Sequence, residues 1–171
     1  MDSSDLHSCP DVGYSYVPAG EQLIIDTPGK DSSWYTLFGT MVYPSGDGVY
    51  TIHQRKRHQE VEAHLKIVLG KEPDTFWMPV MDNASQHKTK MLDKFWQENK
   101  YRIKPFFLPT YSPHLNLIEK LWWFMRKEIT RNKFYGTIKN VAIAVVDWLQ
   151  NLPIGRFCSL MGINLNKLKF T

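Results

Sequence analysis

Asp82 closes a short apolar run at 76–81 (FWMPVM) and opens a polar stretch, Asp-Asn-Ala-Ser-Gln-His. A carboxylate so placed can hold a hard divalent cation, since magnesium and manganese take oxygen ligands, with water or phosphate completing the shell. Ligand sites in open α/β sheets gather at the carboxyl ends of strands, which suits Asp82. A turn or helix-capping aspartate would look the same in sequence. Glu119 is the second acid to weigh. Ile118, Leu121, Trp122, Met125 and Ile129 recur at intervals of three and four, an apolar stripe that faces a core. Glu119 lies about 100° from Ile118 around the helix axis, at the border of that stripe. Plain surface is the competing reading. Asp2 and Asp5 are further acids near the N-terminus, where position alone suggests a loose chain end.

These residues need elements to bring them together. Turns dominate the first thirty residues: Cys9-Pro10, Pro18-Ala19-Gly20 and Thr27-Pro28-Gly29. The aromatic and β-branched run 34–43 ends at Pro44-Ser45-Gly46-Asp47-Gly48, and 49–53 follows, so a hairpin is predicted. Helical spacing marks 58–69, closed by Gly70. Segment 76–81 reads as a strand made irregular by Pro79. A helix is expected over 85–99 and a strand over 103–108. Another helix is expected to start at Ser112-Pro113, with serine as N-cap and proline in the first turn, and to reach about Ile129. A last amphipathic helix spans 137–149. Strands that alternate with helices after an initial meander predict a mixed α/β sheet with helices on both faces. One domain over 1–152 and a basic tail over 153–171 are expected.

Charge narrows the partners. Residues 1–50 hold seven acidic residues and one basic residue, whereas 51–171 hold twenty basic and ten acidic, a net of +10 within an overall +4. That imbalance favours a polyanion, although a solvated lysine-rich surface gives the same count. Cys9 and Cys158 stand far apart without a ligand pattern, so reduced thiols and a cytoplasmic setting are expected. The longest apolar run, 141–146, is far short of the roughly 20 residues that span a bilayer. His53, His58 and His64 lack the cysteine or paired acidic partners of a zinc site.

Two segments together change the weight of the acids. LPTYSPHLNLIEKLW (108–122) resembles the signature L-P-x-Y-S-P-x-L-N-P-I-E-x-x-W of the mariner-like superfamily of transposases, in its bacterial insertion-sequence branch. MDNASQHK (81–88) is similar to that family's D-N-A-x-x-H block, and 36 residues separate Asp82 from Glu119, a spacing that this branch shows. DSSDLHSCP (2–10), with Gly13 and 17–20, is similar to the block that carries the family's first aspartate. The resemblance covers nearly the whole chain. It implies an RNase H-like fold, of the retroviral-integrase type, and an Asp-Asp-Glu triad of Asp2, Asp82 and Glu119 that binds two Mg2+ or Mn2+ ions. Asp5 competes for the first position, but the spacing to His7, Pro10 and Gly13 favours Asp2.

The chemistry implied is that of a DDE transposase: hydrolysis at the element's ends to free a 3′-hydroxyl, then attack of that hydroxyl on target DNA. Double-stranded DNA and a second copy of the protein are the implied partners, at the bacterial nucleoid and away from membranes. Asn83 and His87 are supporting residues for water or phosphate, with a loop-to-helix hydrogen bond as the plainer role. Asn116 is a supporting residue for Glu119, with packing in the first turn of the helix as an equal alternative, and Trp122 reads as core. Two patches suit DNA backbone contact: Arg55, Lys56 and Arg57, and the helix end with Trp123, Arg126, Lys127, Arg131 and Lys133. Each is equally an ordinary solvated surface.

The sequence departs from the family at three places. Ser3 stands where glutamate is usual, and Leu117 replaces the proline before Ile-Glu. Asp2 is the second residue, so the first strand is expected to be largely truncated, and the family's helix-turn-helix region is not present. These departures imply a piece, or a downstream reading frame, of a longer transposase. An inactive remnant that binds DNA or a full-length partner is therefore the alternative. An RNase H-like nuclease acting on RNA or junctions is a more distant one.

Overall fold

The computed structural model describes residues 1–153, apart from Lys30, Asp31, Pro44 and Tyr111, together with Gly155, Cys158, Ser159 and Gly162; for Pro113 only the backbone is described. Most of the tail predicted at 153–171 thus lies outside the described residues, as does Pro44 of the predicted turn.

Alternation of side chains along three strands organises the first half. β1 (Asp2–His7), β2 (Trp34–Met41) and β3 (Gly48–His53) form an antiparallel sheet in that order. Asp2 pairs with Gly39 and His7 with Trp34; Leu37 pairs with Ile52. β1 begins at Asp2 and runs on for six residues, fully paired with β2. The strand expected to be largely missing ahead of Asp2 is therefore found following it. Gly46 has a positive φ in the β2–β3 turn, which Val42 and Asp47 close with a 2.8 Å backbone hydrogen bond.

Each sheet face buries a different helix pair, as period-two alternation requires. Leu6 and Leu37 point to one face. There they pack against α3 (Ile118–Met125) and α4 (Ile138–Gln150), around Leu121, Trp122, Met125, Val141 and Val145. Phe38 and Val49 point to the other. They meet Val61, Leu65 and Val68 of α1 (His58–Lys71), and Leu92 and Phe95 of α2 (Lys90–Glu98). The mixed α/β architecture with helices on both faces is as expected.

β4 (Val80–Met81) and β5 (Phe106–Phe107) pair in parallel beyond the β1 edge. The Met1 amino group donates to the Val80 carbonyl at 2.7 Å, which joins this pair to the start of β1. Both strands are shorter than the predicted runs. The ladder extends back through a Trp77–Ile103 bridge, but Pro79 has no N–H and only its carbonyl bonds, to Phe106 N.

The predicted 85–99 helix is divided. A 3-10 turn spans Ser85–His87, and α2 begins afresh after Thr89, whose hydroxyl accepts from Leu92 N. The helix predicted from Ser112 is divided too. Pro113–Leu115 form a 3-10 turn, α3 follows, and Arg126–Thr130 form a π-helical turn. α1 and α4 lie close to their predicted bounds, with Gly70 inside α1 and Thr137 capping α4 through Asn140 N.

The β1–β2 connection forms an open arm. Its base is pinned where Thr130 donates to Asp11 and the Asn132 side chain bonds both the N–H and the carbonyl of Gly13. Beyond that, Tyr14, Tyr16 and Ile24 stand almost fully exposed. No helix among the described residues is long and apolar enough to cross a membrane.

Candidate active site

Three elements deliver three carboxylates to one place. β1 supplies Asp2, which is buried on the α3 face, and its Oδ2 accepts a 3.0 Å hydrogen bond from Trp122 Nε1. β4 ends at Met81, so Asp82 emerges at its carboxyl end. α3 carries Glu119 in its first turn, where a negative side chain also suits the helix dipole. Asp82 and Glu119 line one cleft of about 350 Å³ with Asn83, Leu108, Thr110, Ser112 and Asn116.

Their electrostatics show how near they are. The Glu119 carboxyl is pushed up to about 7, first by burial, then by the Asp2 charge and a hydrogen bond with the Asp2 side chain, with Asp82 adding repulsion. Glu119 is an exposed residue that nonetheless lines the cleft. Asp2 is raised by burial and by Asp82. Asp82 moves the other way. His87 Nδ1 lies 2.8 Å from Asp82 Oδ1 and Ala84 N donates to the same oxygen at 3.2 Å, and chiefly the His87 bond holds this carboxyl below its ordinary range. Asp5 sits elsewhere. It points to the opposite sheet face and accepts from Thr36 Oγ1 at 2.9 Å.

Residues 1–142 match the family model described as DDE superfamily endonuclease. The chain belongs to that family. It is 28% identical over 134 residues to the "Insertion element IS630 uncharacterized 39 kDa protein" of Shigella sonnei, a match that covers 77% of this chain and 38% of that protein. Among solved structures, the Mos1 transposase paired-end complex with left transposon end superposes with a TM-score of 0.70 at 13% identity, over 94% of this chain and 50% of that one. The Mos1 mariner paired-end complex with Mn gives 0.69 at 12% identity, over 94% and 51%. At such identities the likeness shows the fold, which is RNase H-like as expected. The chain spans about half the length of these solved chains and less of its curated relative.

The other residues singled out in this endonuclease domain divide by position. Asn83 donates to the Leu108 carbonyl and ties the ends of β4 and β5 together, a bond between strand ends in place of the loop-to-helix bond expected. His87 is buried against Asp82 and does not face open solvent; its Nε2 has no partner among the described residues. Asn116 is buried in the cleft wall with Nδ2 unpartnered among the described residues. Lys56 lies close enough to help lower Asp82, so the Arg55-Lys56-Arg57 loop borders the site. Arg126 donates to Ser4 Oγ at 2.9 Å, and its charge acts on Glu119. Trp123 is exposed, with Lys127 Nζ 5.3 Å from its ring centre. Arg131 packs along Gly13, and Lys133 donates to the Glu128 carbonyl at 2.6 Å, so these two brace the base of the arm and the end of the π turn.

Sequence reasoning took Trp122 as core and missed its bond to Asp2. Gly39 carried the available signal, since glycine inside a strand often marks a close approach. A Cβ at Gly39 would lie 2.5 Å from Trp122 Cη2.

The donor set fits a hard divalent ion: carboxylate oxygens that repel one another until a cation or a proton neutralises them. As the side chains stand, no three His, Cys, Asp or Glu residues among those described form a ready-made metal cluster. The Asp2 carboxylate instead lies close enough to Glu119 to raise its pKa.

Proposed function

We propose that this chain is the catalytic domain of a transposase that hydrolyses phosphodiesters at the ends of a mobile element and joins the freed 3′-hydroxyl to target DNA. Asp2, Asp82 and Glu119 are its catalytic carboxylates and the ligands of two Mg2+ or Mn2+ ions. The observation that carries this reading is the mutual electrostatic influence of three acids separated by 80 and 37 positions in sequence.

When bound, such ions activate the attacking water and stabilise the leaving oxygen. The chain's own part follows from its geometry. Glu119, whose carboxyl burial and Asp2 push up to about 7, would give up its proton when the site fills. Asp82, which lines the cleft, stays charged because His87 bonds its Oδ1. Asn116 Nδ2, buried and without a partner among the described residues, would need a side-chain turn to meet a phosphate oxygen in the cleft that Asn116 lines. Lys56 and its arginine neighbours, and on the other side Trp123, Arg126 and Lys127, offer contacts to the DNA backbone. Support for DNA ends and for Mn as ligands comes from the two Mos1 complexes, one with a transposon end and one with Mn. The exposed tyrosines of the arm suit a surface that a second copy covers in a homodimer, within the bacterial cytoplasm and on nucleoid DNA.

The second reading, an inactive remnant, is favoured by the lack of a ready-made cluster among the described residues and by Ser3. Incubation with DNA carrying the element's ends, in Mg2+ or Mn2+, separates the two. Cleavage by the wild type should fall for Asp82→Ala and Glu119→Ala by more than the ~10–100-fold typical of losing an outer partner of a metal ligand. Equal cleavage by all three proteins, or none by the wild type, rejects the catalytic reading.

A further inference from the structure

We infer that Trp122 is a positioning residue for Asp2, and that Gly39 is glycine so that Trp122 can act as one. This rests on the reading of Asp2 as a metal ligand. Asp2 is the first residue of β1 and pairs directly with Gly39 on β2. α3 crosses the sheet over this pair. A side chain at position 39 would point at the same helix, and its Cβ would meet Trp122 Cη2 at 2.5 Å, Cζ2 at 2.8 Å and Ile118 Cδ1 at 2.9 Å. Without that Cβ the indole lies against the strand pair, and its Nε1 reaches Asp2 Oδ2 at 3.0 Å.

The ring cannot easily turn away. It is almost wholly buried, and Tyr50 meets it edge-on with ring centres 6.5 Å apart. A buried indole N–H left without an acceptor is costly, so the bond fixes both partners. Trp122 also follows Glu119 by one helical turn. One short helix therefore presents a carboxylate to the cleft and sets the orientation of the carboxylate opposite. With one Asp2 oxygen held by the indole, the other is left for Glu119 or for a cation. His87 does the equivalent for Asp82 from the other side.

A tryptophan that merely fills the core would affect stability alone, so the test reads ion binding. Mn2+ affinity, measured by electron paramagnetic resonance on the intact chain, should weaken roughly 10- to 100-fold in Trp122→Phe, which keeps an aromatic ring and loses the donor. Gly39→Ala keeps the indole but displaces it, and should weaken binding comparably; it also carries the test if Trp122→Phe does not fold. Val145→Ala, in the same core on α4, is the stability control and should lower Tm without changing Mn2+ affinity. Wild-type affinity in both Trp122→Phe and Gly39→Ala overturns the inference, as does an equal loss in Val145→Ala. Asp82→Ala tells the two levels apart. If it too binds Mn2+ like the wild type, the metal-site reading itself has failed; if it alone loses binding, only the role of Trp122 has.

Discussion

Glu119 and Asp82 lie in one cleft yet are driven in opposite directions. Burial and Asp2 push Glu119 up from 4.5 to about 7, whereas the His87 bond holds Asp82 low. The raised value has a definite sign in folding. Between those two pH values the folded ion-free protein binds more protons at this site than the unfolded chain does. The stability contributed by the site is therefore complete below pH 4.5 and is lost as pH rises through about 7. A divalent cation requires the charged form and reverses that trend. The rise in Tm produced by Mn2+ should accordingly grow between pH 6 and 8, and Glu119→Gln should abolish most of that growth in a thermal-shift titration. Asp82 gives a second expectation. His87→Ala should weaken Mn2+ binding roughly tenfold, and His87→Asn should restore part of it if its amide reaches the same carboxylate oxygen. Asp82 and Glu119 were legible in sequence because each sits in a dense local motif. The role of Trp122 was not, because hydrophobic spacing explains a tryptophan there without reference to its N–H, and its partner lies 120 residues away.

At the scale of elements, legibility followed local chemistry. α4 kept nearly its predicted bounds because Thr137 supplies an N-cap and the apolar residues repeat at three and four. The division of the 85–99 helix was missed because it depends on tertiary contacts: His87 turns back to Asp82, and Thr89 caps a new start. The strands at 76–81 and 103–108 shrank at Pro79, where sequence had marked an irregularity. His64 shows how one residue locks elements together. Placed on α1, it bonds Thr40 Oγ1 of β2 at 2.9 Å and Thr51 Oγ1 of β3 at 2.8 Å, and it has no surface exposure. Burial, with the nearby chain amino group and His53, lowers its pKa from 6.5 to about 3. The unfolded chain thus takes up a proton that the folded one refuses. Stability is held above pH 6.5 and lost as pH falls towards 3, with a slope of up to about 1.4 kcal/mol per pH unit from this group. Urea unfolding between pH 4 and 7 should show that slope, and His64→Gln should flatten it even if it lowers stability throughout.

For the whole molecule, the division of charge that was visible in sequence acquires a direction in space. The excess of +10 over 51–171 includes Lys56, whose charge acts on Asp82, and Arg126, whose charge acts on Glu119, so basic groups reach the two carboxylates from two elements. A duplex held through its phosphates would release counterions at each, and its affinity should fall steeply with salt. Removing one basic group of the loop, as in Lys56→Ala, should weaken binding of unrelated DNA sequences about equally. It should also reduce the slope of log affinity against log salt by roughly 0.9 for each phosphate no longer neutralised. Arg126→Ala should differ in kind. That guanidinium is already bonded to Ser4 beside Asp2 and offsets the charge of Glu119, so its removal should change Mn2+ affinity as well as DNA affinity. Fluorescence anisotropy over a range of salt, paired with Mn2+ titration, distinguishes the two variants. An unchanged salt slope in Lys56→Ala would leave the loop as solvated surface and move the DNA path to the α3 side.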